Sequence, residues 1–163
     1  MQSPELKAYL DHARSKRKEN KKFFQTLARV KNLDGLFHSL HEEVFADTDC
    51  LECANCCKTT SPIFRDVDIE RIATHLGIRP SELTEKYLHL DEDKDWVLNS
   101  SPCVFLQADN KCAIYQVRPR ACRDYPHTDR KNMAGILDLT YRNTLVCPAV
   151  ARMAENLKNL LNG

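Results

Sequence analysis

Only four glycines occur among 163 residues. That leaves no room for a glycine-rich phosphate loop, and the chain carries neither a nucleotide-binding fingerprint nor a His-Glu-x-x-His helix. Long apolar runs are missing too, with nothing approaching the roughly 20 residues of a membrane span. The opening stretch Met1-Gln-Ser-Pro-Glu-Leu-Lys-Ala-Tyr-Leu10 turns polar at once and runs into the charged segment Arg14 to Lys22. It therefore lacks the apolar region of a secretion signal. Charge of one sign is also absent: 24 basic residues face 23 acidic ones, a net charge of +1. No overall field recruits nucleic acid or an anionic membrane. These absences predict a cytoplasmic chain whose partners are chosen by local sites.

What the chain has is eight cysteines. Four are packed into Cys50-Leu-Glu-Cys53-Ala-Asn-Cys56-Cys57, and the others are Cys103, Cys112, Cys122 and Cys147. Thiols at such density either pair as disulfides or hold metal. Disulfides need an oxidising compartment and are concentrated in small domains that lack a sufficient core. A cytoplasmic chain of this length, 42% hydrophobic, needs no such staples, so metal is the reading. Cys-x-x-Cys lets two thiolates in one tight turn reach a single ion, as in zinc and iron–sulfur sites. Two such steps overlap here, and Cys57 adds an adjacent sulfur. In extended backbone neighbouring side chains point to opposite sides, which predicts that Cys56 and Cys57 face two ions, or one ion and a core. Lys58, Lys111, Arg118, Arg120 and Arg123 can offset the negative charge of thiolates.

Periodicity supplies the frame. Pro4 suits a first helical position after Ser3. Phe23, Leu27, Val30, Leu33, Phe37, Leu40 and Val44 fall at three- and four-residue steps, predicting one long helix with an apolar stripe and Gly35 as its kink. Its stripe serves the core or a protein partner. The basic run Arg14, Lys16, Arg17, Lys18, Lys21 and Lys22 reads as a solvated face, since Glu19 interrupts it and no aromatic platform is interleaved. Asp66 reads as the cap of a helix ending at Gly77, and Pro80 opens another running to Leu88. Helix, turn and helix also suit DNA binding, but Glu82 and Glu85, followed by Asp91, Glu92, Asp93 and Asp95, place carboxylates where phosphates would lie. Trp96-Val97-Leu98 predicts a strand. Residues 103–107 and 111–115 predict a hairpin around Ala108-Asp109-Asn110, and residues 118–127 a short helical turn. Cys147 precedes a Pro148-led helix with Val150, Met153, Ala154, Leu157, Leu160 and Leu161 on its apolar face, where the helix dipole would favour a thiolate.

The ordered set Cys50-x-x-Cys53-x-x-Cys56-Cys57, Asp68-Ile69-x-x-Ile72-Ala73-x-x-Leu76-Gly77, Pro102-Cys103-Val-Phe-Leu106, Cys112-x-Ile-Tyr115, Arg118-Pro119-x-x-Cys122-Arg123-x-Tyr125-Pro126 and Cys147-Pro148 resembles the YkgJ-type cysteine-cluster proteins. That family is named for a zinc- or iron-chelating domain, and the resemblance covers roughly Asp49 to Pro148. It implies that all eight cysteines are metal ligands. A related cluster occurs in flagellin lysine N-methylases, which keeps open an iron-dependent or iron–sulfur enzyme or redox module acting in protein modification. Spacing does not separate zinc from iron; zinc is placed first because it needs no cofactor assembly. Around Cys122, the residues Tyr115, Arg118, Asp124, Tyr125 and His127 could shape a pocket or simply pack. His38, His41, His75 and His89 have weaker claims to a site. The expected fold is α+β and mostly helical, with helices flanking a small irregular cysteine-rich metal-binding subdomain that includes a short β-hairpin. Its expected parts are an N-terminal helical segment (1–48), a cysteine-cluster domain (49–148) and a C-terminal amphipathic helix (149–163). Expected partners are metal ions and a protein docking on the N-terminal helix, without membrane or nucleic acid.

Overall fold

The computed structural model describes residues 4–163, so Ser3 of the expected helix start lies outside the described residues. The chain is mostly helical with one small antiparallel sheet. It divides into two compact units, one built from residues up to 53 together with 126–163, the other from 54–125.

The first unit contains α1 (Pro4–Ser15), α2 (Arg17–Thr26), α3 (Leu33–Phe45), the single turn α4 (Cys50–Cys53) and, after a return of the chain, α9 (Leu137–Asn143) and α10 (Pro148–Asn162). Prolines 4 and 148 open their helices as expected, because the missing N–H of proline has no partner in a first turn anyway. The long helix predicted from Phe23 to Val44 is instead two helices. A 3-10 turn, Leu27–Arg29, leads into extended Val30 and then Asn32 at φ 54. Asparagine tolerates this left-handed conformation better than most residues. Gly35 is therefore no kink and lies in the first turn of α3. The apolar stripe survives the break: Leu27, Leu33, Phe37, Leu40 and Val44 pack with Phe24, Met133, Leu137, Ala149, Met153, Ala154 and Leu157 into one core. Fully burying each large member contributes about 1.5–3 kcal/mol. Asp34 fastens the return of the chain, its carboxylate accepting the N–H groups of Asn132 at 2.9 Å and Met133 at 2.8 Å.

The second unit holds α5 (Asn55–Thr59), α6 (Asp66–Leu76), α7 (Pro80–Tyr87), β1 (Leu88–Leu90), β2 (Trp96–Leu98) and α8 (Arg120–Asp124). The cap of α6 is Arg65 rather than Asp66, because the Asp68 carboxylate at the third helical position accepts the Arg65 backbone N–H at 3.0 Å. Gly77 ends the helix at φ 69, a conformation that costs glycine little. The regular hairpin is β1 with β2, paired Leu88 to Leu98, His89 to Val97 and Leu90 to Trp96. Leu88, read from sequence as helical, begins β1. The predicted hairpin of residues 103–115 is reduced to one bridge, Leu106 to Cys112, plus Gln107 N–H to the Lys111 carbonyl and Ala113 N–H to the Phe105 carbonyl, both 2.8 Å. Its turn is where the sequence placed it, with Asn110 at φ 66. The core is Phe64, Ile69, Ile72, Ala73, Leu83, Leu88, Leu98, Phe105 and Ile114, with Cys103 and Cys112 packed against it.

Candidate metal centre

None of the eight cysteines is in a disulfide. Five of them, Cys56, Cys57, Cys103, Cys112 and Cys122, belong to the 54–125 unit. Cys56 and Cys57 lie on helix α5 and not on extended backbone. Neighbours on a helix diverge by about 100° instead of pointing to opposite sides, and the two thiols hydrogen-bond. That bond, helped by backbone bonding and Lys58, outweighs burial and brings the Cys57 thiol down to about 7. Cys103 reaches toward Cys57 through its backbone, donating its N–H to the Cys57 carbonyl at 2.8 Å. The Leu106–Cys112 bridge and the Leu106 N–H to Cys103 carbonyl bond of 3.0 Å place Cys103 and Cys112 on facing segments.

Burial pushes the Cys103 thiol up, and charges on Cys57 and Cys112 add to the rise. Cys112 is raised the same way, by burial and then Cys57, with Arg118 opposing. Cys122 is raised furthest in this unit, to about 12, by burial and then by Cys57, Cys103 and Cys112. Four thiols from three stretches of chain are thus within electrostatic reach of one another, with one cation, Arg118, acting on two of them. Its guanidinium lies 3.9 Å from the Tyr115 ring centroid and donates to the Tyr115 carbonyl at 2.6 Å.

The first unit contains Cys50, Cys53 and Cys147. Cys50 and Cys53 bound the turn α4, a three-residue spacing that shares one helix face. Asp49 caps that turn by accepting the Leu51 N–H at 2.8 Å. Cys147 precedes α10 and donates its N–H to the Asn143 carbonyl at 2.8 Å. The helix N-terminus does not win there: burial drives its thiol to about 12 against the N–H groups of Val150 and Ala149, with charge on Cys50 and Cys53 adding to the rise. The expected place of Cys147 at the helix N-terminus holds, and the helix N–H groups oppose the rise. Among the described residues, no group of three or more Cys, His, Asp or Glu side chains forms a ready-made metal site.

The histidines are otherwise engaged or dispersed. His38 bonds the Arg130 carbonyl at 2.9 Å, His41 the buried Thr128 hydroxyl at 2.8 Å, and His89 the Asn99 side chain at 3.0 Å. His75 is exposed on α6, and His127 adopts φ 64. Asp124 pairs with Arg120 at 2.9 Å.

Sequence reading missed the role of Asp68, whose side chain is 0% exposed. It accepts from Arg65 Nε at 3.2 Å, Arg71 Nη2 at 2.8 Å and the Arg120 backbone N–H at 3.3 Å, besides the cap bond. The signal in the sequence was two pairs of opposite charges three residues apart, Arg65 with Asp68 and Asp68 with Arg71. Burial alone would raise this carboxyl, but the Arg65 and Arg71 guanidinium groups and two backbone N–H groups hold it down at about 2. A carboxyl depressed in the folded state stabilises above its unfolded value, and that contribution fades as pH falls through the folded one. The shift from 3.8 to about 2 corresponds to about 2 kcal/mol. Between about pH 5 and about pH 2 the native chain should lose about 2 kcal/mol more than Asp68→Asn in urea unfolding; equal losses would refute this.

A family model described as "CxxCxxCC: Putative zinc- or iron-chelating domain" matches residues 49–147. An uncharacterized protein of Methanocaldococcus jannaschii is 33% identical over 95 residues, covering 56% of this chain and 50% of that protein. The chain thus spans about half the length of the curated relative it matches. No solved structure gives a significant match. No helix among the described residues is long and apolar enough to cross a membrane.

Proposed function

The chain belongs to the CxxCxxCC family, and from that membership we propose that it binds metal through cysteine thiolates, with Cys57, Cys103, Cys112 and Cys122 as one four-sulfur centre. The observation that carries this reading is the convergence of those four thiols within a single unit, with the Cys103 N–H on the Cys57 carbonyl, Cys103 and Cys112 on facing segments, and charge on Cys57 raising the other three thiols. Cys103 and Cys112 also pack against the apolar core of this unit, as free cysteines do, but packing alone does not call for four of them together. A cation gives the arrangement its purpose.

The donor set fits zinc or iron, both of which accept four thiolates. Zinc is placed first because a closed all-sulfur tetrahedron is its usual structural site and needs no assembly with sulfide. Bound there, the ion would act as a crosslink among the segments carrying the four cysteines. Four thiolates around a divalent ion leave two negative charges, and Arg118 and Lys58 are the cations acting on these sulfurs. Cys50, Cys53 and Cys147 form a second thiol set, and Cys56, hydrogen-bonded to Cys57, is the eighth candidate ligand.

Elemental analysis of protein purified without air tests the proposal. Zinc without colour supports a closed thiolate centre, whereas iron with acid-labile sulfide supports a cluster on the same residues. Protein that is reduced, offered zinc and iron in turn, and still carries less than about one tenth of an ion per chain would overturn it, because a structural thiolate site binds with about 10 kcal/mol or more.

A further inference from the structure

Cys122 is delivered to the thiol group by a stretch of backbone that has little regular structure of its own. Arg118 and Pro119 are both extended, at φ −54, ψ 152 and φ −53, ψ 149. Proline offers no N–H to anchor the chain. What holds this stretch is a charge pair on α6. Arg71 donates from Nε to the Val117 carbonyl at 3.3 Å and from Nη2 to the Arg118 carbonyl at 2.9 Å. Its partner Asp68 accepts the Arg120 N–H at 3.3 Å. The Cys122 N–H then closes the first turn of α8 on the Pro119 carbonyl at 3.0 Å. One buried carboxylate and one guanidinium therefore fix three of the four backbone units that lead into the turn carrying Cys122.

We propose that the Asp68–Arg71 pair is a positioning device for the metal centre, fixing Cys122 among Cys57, Cys103 and Cys112 so that metal affinity is set from helix α6. The inference rests on the reading that these four thiols bind an ion. The geometry is specific because the planar guanidinium, with its fork of donors, spans two successive carbonyls, which a lysine cannot do. Replacing Asp68 weakens the acceptor of the Arg120 N–H and removes the charge that orients Arg71, while replacing Arg71 frees the Val117 and Arg118 carbonyls, so in either case the segment loses anchors.

The experiment uses the full chain with zinc, in competition with a chromophoric chelator, and with cobalt as a probe of sulfur ligation. Asp68→Asn is expected to weaken zinc binding about 10- to 100-fold, the usual range for groups that orient metal ligands. Cobalt–thiolate absorption should fall by about a quarter, as one sulfur of four is lost. A double-mutant cycle separates positioning from general weakening. Combined with Cys122→Ser, Asp68→Asn should add less than about 3-fold, whereas combined with Cys50→Ser it should keep its whole effect. In reduced, metal-free protein, alkylation of Cys122 should accelerate relative to Cys103. Zinc affinity within about 2-fold of the native chain, or full additivity with Cys122→Ser, would overturn the proposal. Should Asp68→Asn fail to fold by circular dichroism, Arg71→Lys carries the same test, keeping the charge while losing the fork. If the native chain binds neither zinc nor cobalt, the proposed function fails by itself. Cys122 alkylation still decides the positioning: acceleration in either variant supports it, and an unchanged rate overturns it.

Discussion

Serine in place of Cys57 is expected to cost the chain one metal ion. Among the four thiols of the proposed centre, Cys57 is the one whose charge raises all three of the others, and its carbonyl receives the Cys103 N–H. Its thiol, brought down to about 7, is substantially ionised at neutral pH, which makes it the first anion that an arriving cation meets. A serine hydroxyl stays protonated and hard, a poor ligand for zinc or iron beside three sulfurs. With about 10–16 kcal/mol of binding shared over four ligands, losing one costs about 3 kcal/mol, on the order of a hundredfold or more in affinity. Metal per chain after gel filtration and chelator competition read the effect. Cys56→Ser is the matched control: a serine hydroxyl there can still donate to the Cys57 sulfur, so at this centre it should weaken binding less. Equal stoichiometry and affinity in Cys57→Ser and the native chain would sink the four-sulfur reading.

The sequence displayed the helices well and the cysteine grouping poorly, for one physical reason. Pro4, Pro80, Pro148 and Gly77 punctuate helices through their own backbone constraints, and these are local. The knuckle from Cys50 to Cys57 looked like one element, yet Ala54 at φ 49 divides it into α4 and α5. Alanine carries no signal of a left-handed conformation, so nothing in the residue types announced that Cys50 and Cys53 belong to one unit while Cys56 and Cys57 belong to the other. Asn32 breaks the Phe23-to-Val44 stripe in the same way, without disturbing the three- and four-residue steps that suggested a continuous helix. The 103–115 hairpin failed differently. Its turn residues were right, but one bridge and two flanking bonds replace a full ladder, and pairing extent depends on neighbours distant in sequence. Asp68 was legible as part of a motif and illegible as an anchor, because its partner Arg120 lies 52 residues away.

Stripping the metal should therefore loosen the 54–125 unit in a defined place. Its two strands are three residues each, and from Asn99 to Pro119 the regular structure is limited to the 3-10 turn Tyr115–Val117. That stretch carries two of the four proposed ligands and leads directly to a third. An ion binding with about 10 kcal/mol or more stabilises the state that binds it, and its removal returns that energy to the unfolding equilibrium. Hydrogen exchange is expected to accelerate at the amides of Cys103, Gln107, Ala113 and Cys122, whose acceptors lie within the sulfur-bearing segments. The amides of α3 and α10, fixed by the core around Phe37 and Met153, should keep their protection. Phe37→Ala should produce the converse pattern, costing about 3–5 kcal/mol in the unit holding α3 and α10 whether metal is present or not. Unchanged exchange at Cys103 and Ala113 in protein proven free of metal would mean that the sulfurs are held together by packing alone, and the ion would then be cargo on a preformed site instead of a brace for the fold.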